Sequence, residues 1–133
     1  MFNNMGVETQ STTIKRHSTV AINATDTATA AQVATGYITS TSAAGTIITM
    51  PTGTLLGAEV RAVRGTSFDL YIDNTAGANT VTLAVGVNGI QSAWGVQEDV
   101  ALATLDVVAG VSGLACFRIV FSSATAYTFC RIS

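Results

Sequence analysis

The sequence predicts one all-β domain, an antiparallel β-sandwich or barrel-like body with one or two short helices and an extended N-terminal arm. Three observations predict it. Short stretches alternate apolar and polar residues at the two-residue period of a strand. Clusters of Gly, Asn and Ser interrupt them at short intervals. Helix-period patterning is confined to two brief segments. Many short strands with turns between them form a sandwich or a barrel. At 133 residues the chain is one domain long, enough to bury a core without metal or disulfide staples.

Residues 1–18 are rich in Asn, Gln, Ser and Thr and bury too little to fold alone, so they are expected to form an extended arm, with residues 19–133 as the body. Residues 19–25 alternate, with Val20 and Ile22 on one face, and are expected to form a strand. Asp26 or Thr27 is placed to cap a short helix over 28–35, which Gly36 stops. Residues 37–42 are β-branched and Thr-rich, residues 42–45 turn, and residues 46–50 form a strand that Pro51 ends. Thr52 then caps a second helix with Leu55, Leu56 and Val60 as its apolar stripe.

The pattern is clearer in the second half. Along 67–73, Phe68, Leu70 and Ile72 face one way while Ser67, Asp69, Tyr71 and Asp73 face the other. The turn 74–79 and a second alternating strand, with Val81, Leu83 and Val85 inward, complete an expected hairpin. Asn88-Gly89 is a further turn signal. Residues 90–92 and 100–102 are expected as strands around a loop carrying Trp94, Glu98 and Asp99. Residues 114–121 and 126–132 close the chain as a hairpin. The expected core is Phe68, Leu70, Ile72, Val81, Leu83, Val85, Phe117, Ile119, Phe121 and Phe129.

Charge is the unusual quantity. Hydrophobic residues make up 48% of the chain, but charged residues only 11%, against roughly 25% in an ordinary soluble domain. Charged residues are depleted from the cores of protein interfaces, so a chain this poor in them is expected to hide surface against neighbours. The net charge is −2 and the single Lys is Lys15, which offers no clustered footprint for nucleic acid. No apolar run approaches the roughly 20 residues of a membrane helix. The start, Met1-Phe2-Asn3-Asn4, lacks a basic region and an apolar stretch, so synthesis in the cytoplasm is expected.

Catalytic groups are hard to assemble. The lone His17 sits in the arm, where a mobile chain cannot hold a general base on its target. No nucleophile elbow or phosphate-cradling loop occurs, and one His with two Cys offers no zinc spacing. Asp69 and Asp73 share a strand face, yet residues four apart on a strand lie roughly 13 Å apart, beyond the reach of paired glycosidase carboxylates. An enzyme is not expected, and neither a cofactor nor a metal is. The candidate contact residues are the basic cluster Lys15, Arg16 and His17, for an acidic patch on a partner, and the surface loop with Trp94, Glu98 and Asp99. A three-residue turn centred on Ser123 sets Phe117 against Phe129 and Ile119 against Tyr127, with Cys116 against Cys130 on the opposite face. In a reducing cytosol two free thiols are expected, with a bridge as the alternative.

Several segments resemble small virion proteins of tailed phages. Gly45-Thr46-Ile47-Ile48-Thr49-Met50-Pro51-Thr52 is similar to a T-I-T-L-P-T segment that precedes an Ala/Leu helix in these proteins. Residues 65–75 resemble their G-x-S-F-D-F-x-I-x-N-T strand, residues 80–86 a T-V-T-L-A-x-G strand, and residues 127–132 a final Y-T-x-Y-R-I strand. The resemblance covers residues 28–133 and departs around 90–106. It implies a capsid decoration or cement protein at the virion surface: a homo-oligomer, a trimer favoured, that clamps adjacent subunits of the major capsid protein. A head or tail fibre module, receptor-binding or carbohydrate-binding, is the alternative.

Overall fold

The computed structural model describes residues 14–84, 90–92 and 105–133. The first strand, β1, is Val20–Ala21 and β2 is Asp26–Thr27. Helix α1 spans Ala30–Ala34, followed by β3 at Tyr37–Thr39 and β4 at Thr46–Thr49. Helix α2 spans Gly53–Val60, then β5 Ser67–Asp73, β6 Val81–Ala84 and β7 Ile90–Ser92. The chain ends through β8 Asp106–Val107, β9 Leu114–Ser123 and β10 Ala126–Arg131.

These strands build two mixed sheets beside two short helices, a small α/β fold. The larger sheet has the order β1-β3-β5-β9-β10-β7 and the smaller β2-β4-β6-β8. The expected all-antiparallel arrangement is corrected: β1/β3, β3/β5, β2/β4, β4/β6 and β10/β7 are parallel. The reason lies in the connections. Parallel neighbours need a crossover, and here the other sheet provides it. From β1 the chain arches to β2, returns through α1 to β3, arches to β4, returns through α2 to β5, and arches again to β6. Three windings of the same form stack on one another, and α1 packs on α2. By β8 the direction has reversed: β8 runs antiparallel to β6, and β9 runs antiparallel to β5 and to β10.

The expected hairpin over 67–86 is therefore not formed. Strands β5 and β6 lie in different sheets, and residues 74–80 form an arch between them. Asn74, fully buried, holds that arch. Its Nδ2 donates to Asn79 O at 2.8 Å and to Val107 O at 2.9 Å, and its Oδ1 lies 2.8 Å from Ser42 Oγ in the arch of the previous winding. Earlier still, Asn23 Oδ1 accepts the Thr41 N–H at 3.0 Å. A side-chain ladder thus runs from arch to arch.

Local signals set the helices. Thr29 and Gln32 form a reciprocal capping box on α1, displacing the expected cap at Asp26 or Thr27, which instead form β2. Gly36, at φ +83°, ends that turn. Thr52 accepts the Leu55 N–H and caps α2 as expected. Of the expected stripe on α2, Leu56 is buried and Val60 partly buried, but Leu55 is 59% exposed. Nine tenths of the expected core is described. Leu70, Ile72, Val81, Leu83, Phe117, Ile119, Phe121 and Phe129 are buried, and Phe68 packs at the margin. Val85 lies outside the described residues. Tyr127 joins the core, and its hydroxyl donates to Pro51 O at 2.7 Å.

The closing hairpin differs from expectation in register. Its turn is Ala124-Thr125, with a bulge between Phe121 and Ser123, so Ile119 pairs with Phe129 and Arg118 with Cys130. The Cys116 carbonyl instead accepts the N–H groups of Ile132 and Ser133, and its own N–H donates to Ser133 O. Both cysteines are free, as diagonal neighbours this far apart do not meet disulfide geometry.

Candidate functional site

The outward face of the larger sheet carries its polar residues. The parallel register of β3 and β5 places Tyr37 beside Tyr71, with ring centroids 5.9 Å apart. The antiparallel register of β9 places Cys116 opposite Tyr71 and Arg118 opposite Asp69. Arg118 grips Asp69 with two bonds, Nε to Oδ1 at 2.8 Å and Nη2 to Oδ2 at 3.2 Å. The side chains are 50% and 31% exposed, so the fork fixes orientation more than it stabilises the fold.

The entering chain crosses this face. His17, expected in a free arm, is half-buried on the body. Its ring centroid lies 5.8 Å from Tyr71 and 6.5 Å from Tyr37, and its Nδ1 is 3.1 Å from Thr35 O. Gly36 makes the approach possible, because a Cβ there would fall 2.5 Å from His17 Nδ1. Lys15 and Arg16 are exposed. The result is a cleft of about 410 Å³ with Lys15 and His17 on one side and Ser67, Phe68, Asp69, Tyr71 and Arg118 on the other.

Its electrostatics follow from these contacts. The Arg118 guanidinium holds the Asp69 carboxyl below the usual carboxylate range, and the nearby Lys15 and His17 push the same way. Asp73 lies at the far end of the face. Thr75, through its hydroxyl at 2.6 Å and its N–H at 3.0 Å, and the Tyr37 hydroxyl at 2.7 Å lower its pKa, and Asp73 in turn raises that of Tyr37. Burial pushes the Cys116 thiol up, which keeps it protonated and a poor nucleophile. Tyr71 is raised by the sulfur of Cys116 beside it.

Asp69 and Asp73 share one face with Tyr71 between them, as the alternation predicts, but each has its own donors and they do not act as a pair. Tyr37 and Arg118 were missed as site residues. They stand 34 residues before Tyr71 and 47 after it, and the only signal was that each occupies a polar position of an alternating strand. Trp94, Glu98 and Asp99 lie outside the described residues. Among the described residues no cluster of three His, Cys, Asp or Glu is placed to hold a metal, and no helix is long and apolar enough to cross a membrane.

A second recess, of about 670 Å³ and mostly apolar, lies where the two helices begin. Ala30, Ala31, Met50, Pro51 and Leu55 line it, with Glu59 at its margin. Ile47, Val63, Val108 and Val111 are further exposed apolar side chains elsewhere on the surface.

Comparison with family models, with curated proteins and with solved structures finds no match.

Proposed function

We propose that this chain is a structural virion protein of a tailed phage, bound to the outer surface of the capsid, where it cements adjacent major capsid subunits as a homo-oligomer. The observation that carries the reading is a surface with little charge and many exposed apolar groups. Only 11% of residues are charged, while Leu55, Val63 and Val111 are 59%, 66% and 103% exposed. Single exposed apolar residues are ordinary, but an apolar recess on a charge-poor chain fits a protein completed by contact with other subunits. The similarity of residues 45–52, 65–75, 80–86 and 127–132 to phage virion strands directs the reading to a capsid.

In this reading the chain performs no chemistry. It stabilises the shell because it binds assembled subunits and not loose ones, and several weak contacts made at once give it avidity. Lys15 and Arg16 are exposed and available to an acidic patch of the major capsid protein. The test is co-sedimentation with capsids that lack tails. Saturable binding, weakened by Leu55→Lys, is the expected result; absence of binding to tailless capsids sinks the proposal.

A second reading, a receptor-binding or carbohydrate-binding fibre module, is favoured by a different observation. The cleft on the larger sheet combines aromatic rings with fixed polar groups.

A further inference from the structure

We propose that the cleft between the entering chain and strands β5 and β9 is a binding site for an acidic sugar, a saccharide unit bearing a carboxylate. It is independent of capsid attachment and stands on the cleft alone.

The volume, about 410 Å³, falls in the range of small-ligand sites. The walls divide by chemistry. His17 and Tyr71 contribute ring surface, against which the C–H face of a pyranose can lie. Asp69 and Arg118 contribute a planar, pre-oriented fork, and this is the geometry that reads neighbouring hydroxyls in pairs. An arginine has five N–H donors, of which two meet Asp69, and a carboxylate has about four acceptor positions, so both retain capacity for a ligand. Ser67 adds a hydroxyl at the margin.

Charge selects among sugars. The cleft holds two fixed cations, Lys15 and Arg118, against one carboxylate, Asp69. The chain as a whole carries −2, so this is a locally positive place on an acidic protein. Lys15 and His17 both act on Asp69 in the direction of positive potential. Arg118 is engaged by Asp69, which leaves Lys15 as the cation best placed to meet an incoming carboxylate. The site also depends on the seating of His17, which closes one wall and rests on Gly36.

The chain's single histidine makes the test direct, because the ring resonance of His17 reports this cleft and nothing else. The full chain is titrated with sodium glucuronate, glucose, acetate and a short glutamate-containing peptide. Saturable movement of the His17 resonance is expected with glucuronate, with glucose and acetate each at least about tenfold weaker, the equivalent of about one charged hydrogen bond. Lys15→Ala, at an exposed position that leaves the fold intact, is expected to weaken glucuronate about tenfold. Four results overturn the proposal: no saturable shift with glucuronate, equal binding of acetate, tighter binding of the peptide, or an unchanged glucuronate affinity in Lys15→Ala.

Discussion

Asn74 has no exposed surface, and both ends of its amide are engaged. Its backbone is engaged as well: the N–H donates to Gly113 O, and the carbonyl accepts from Gly77 and Gly110. Asn74→Ala removes three buried side-chain bonds and strips Val107 O of its amide donor, while Ser42 Oγ keeps its bonds to Asn79. Each buried polar group left unpaired costs about 1–3 kcal/mol, so a loss of about 3 kcal/mol in urea unfolding is expected. A loss under 1 kcal/mol would show that the arch holds without it. Asp73, one residue earlier, gives a pH dependence. Its folded pKa lies below the unfolded value of about 3.9, because Thr75 and Tyr37 donate to the carboxylate. The contribution to stability is fully present above that unfolded value and is lost as pH falls through the lowered one. Asp73→Asn should therefore flatten the acid limb of the stability profile, measured as thermal midpoint from pH 6 down to pH 2.

At the scale of the element, helix ends explain more than helix interiors. The capping box on α1 and the Thr52 cap on α2 are both short-range devices; the Thr52 cap was legible in the sequence, whereas α1 was expected to be capped by Asp26 or Thr27 and is capped by Thr29. The C-terminal end of α2 is less settled. Arg61 occupies the left-handed region at φ 54°, where glycine is the usual residue. A non-glycine residue there costs roughly 1–2 kcal/mol, partly offset by the greater chain entropy that glycine loses on folding. Arg61→Gly is therefore expected to raise stability by about 0.5–1 kcal/mol, read as a higher denaturant midpoint with unchanged slope. Strand alternation was equally legible, since inward Leu70, Ile72, Phe117 and Ile119 follow the two-residue period without exception. The register of the last hairpin was not. A bulge between Phe121 and Ser123 and a two-residue turn at Ala124-Thr125 move the pairing by two positions, and Ser, Ala and Thr in that turn carry no signal for either arrangement.

At the scale of the whole molecule, the outward polar face and the apolar recess are consequences of the winding. Each return through a helix adds a strand to the larger sheet, and the third winding brings Asp69 and Tyr71 beside Tyr37 of the second. The proposed subunit role predicts association of free chains. Light scattering at micromolar concentration is expected to give an oligomer, with Leu55→Lys shifting it toward monomer; a monodisperse wild-type monomer would remove the argument from charge. The cleft was legible only in fragments. Lys15 and His17 were marked by their rarity and Asp69 by its strand face, but their meeting depends on the entering chain folding back over β3 and β5.

The sequence by itself determined the longer strands, which of their residues face inward, where α2 begins, and that charge is scarce. These are local or compositional properties, set by side-chain period, by caps within three residues and by counting. Only the tertiary structure decided which sheet each strand joins. An arch such as 74–80 and a hairpin turn use the same Gly and Asn residues, because both need tight backbone and polar side chains to satisfy it. What separates them is whether the next strand finds its partner in the same sheet or in the opposite one. For β6 that partner is β4, 32 or more residues away along the chain, and the choice is made by long-range pairing and by the buried Asn74 that links one arch to the next.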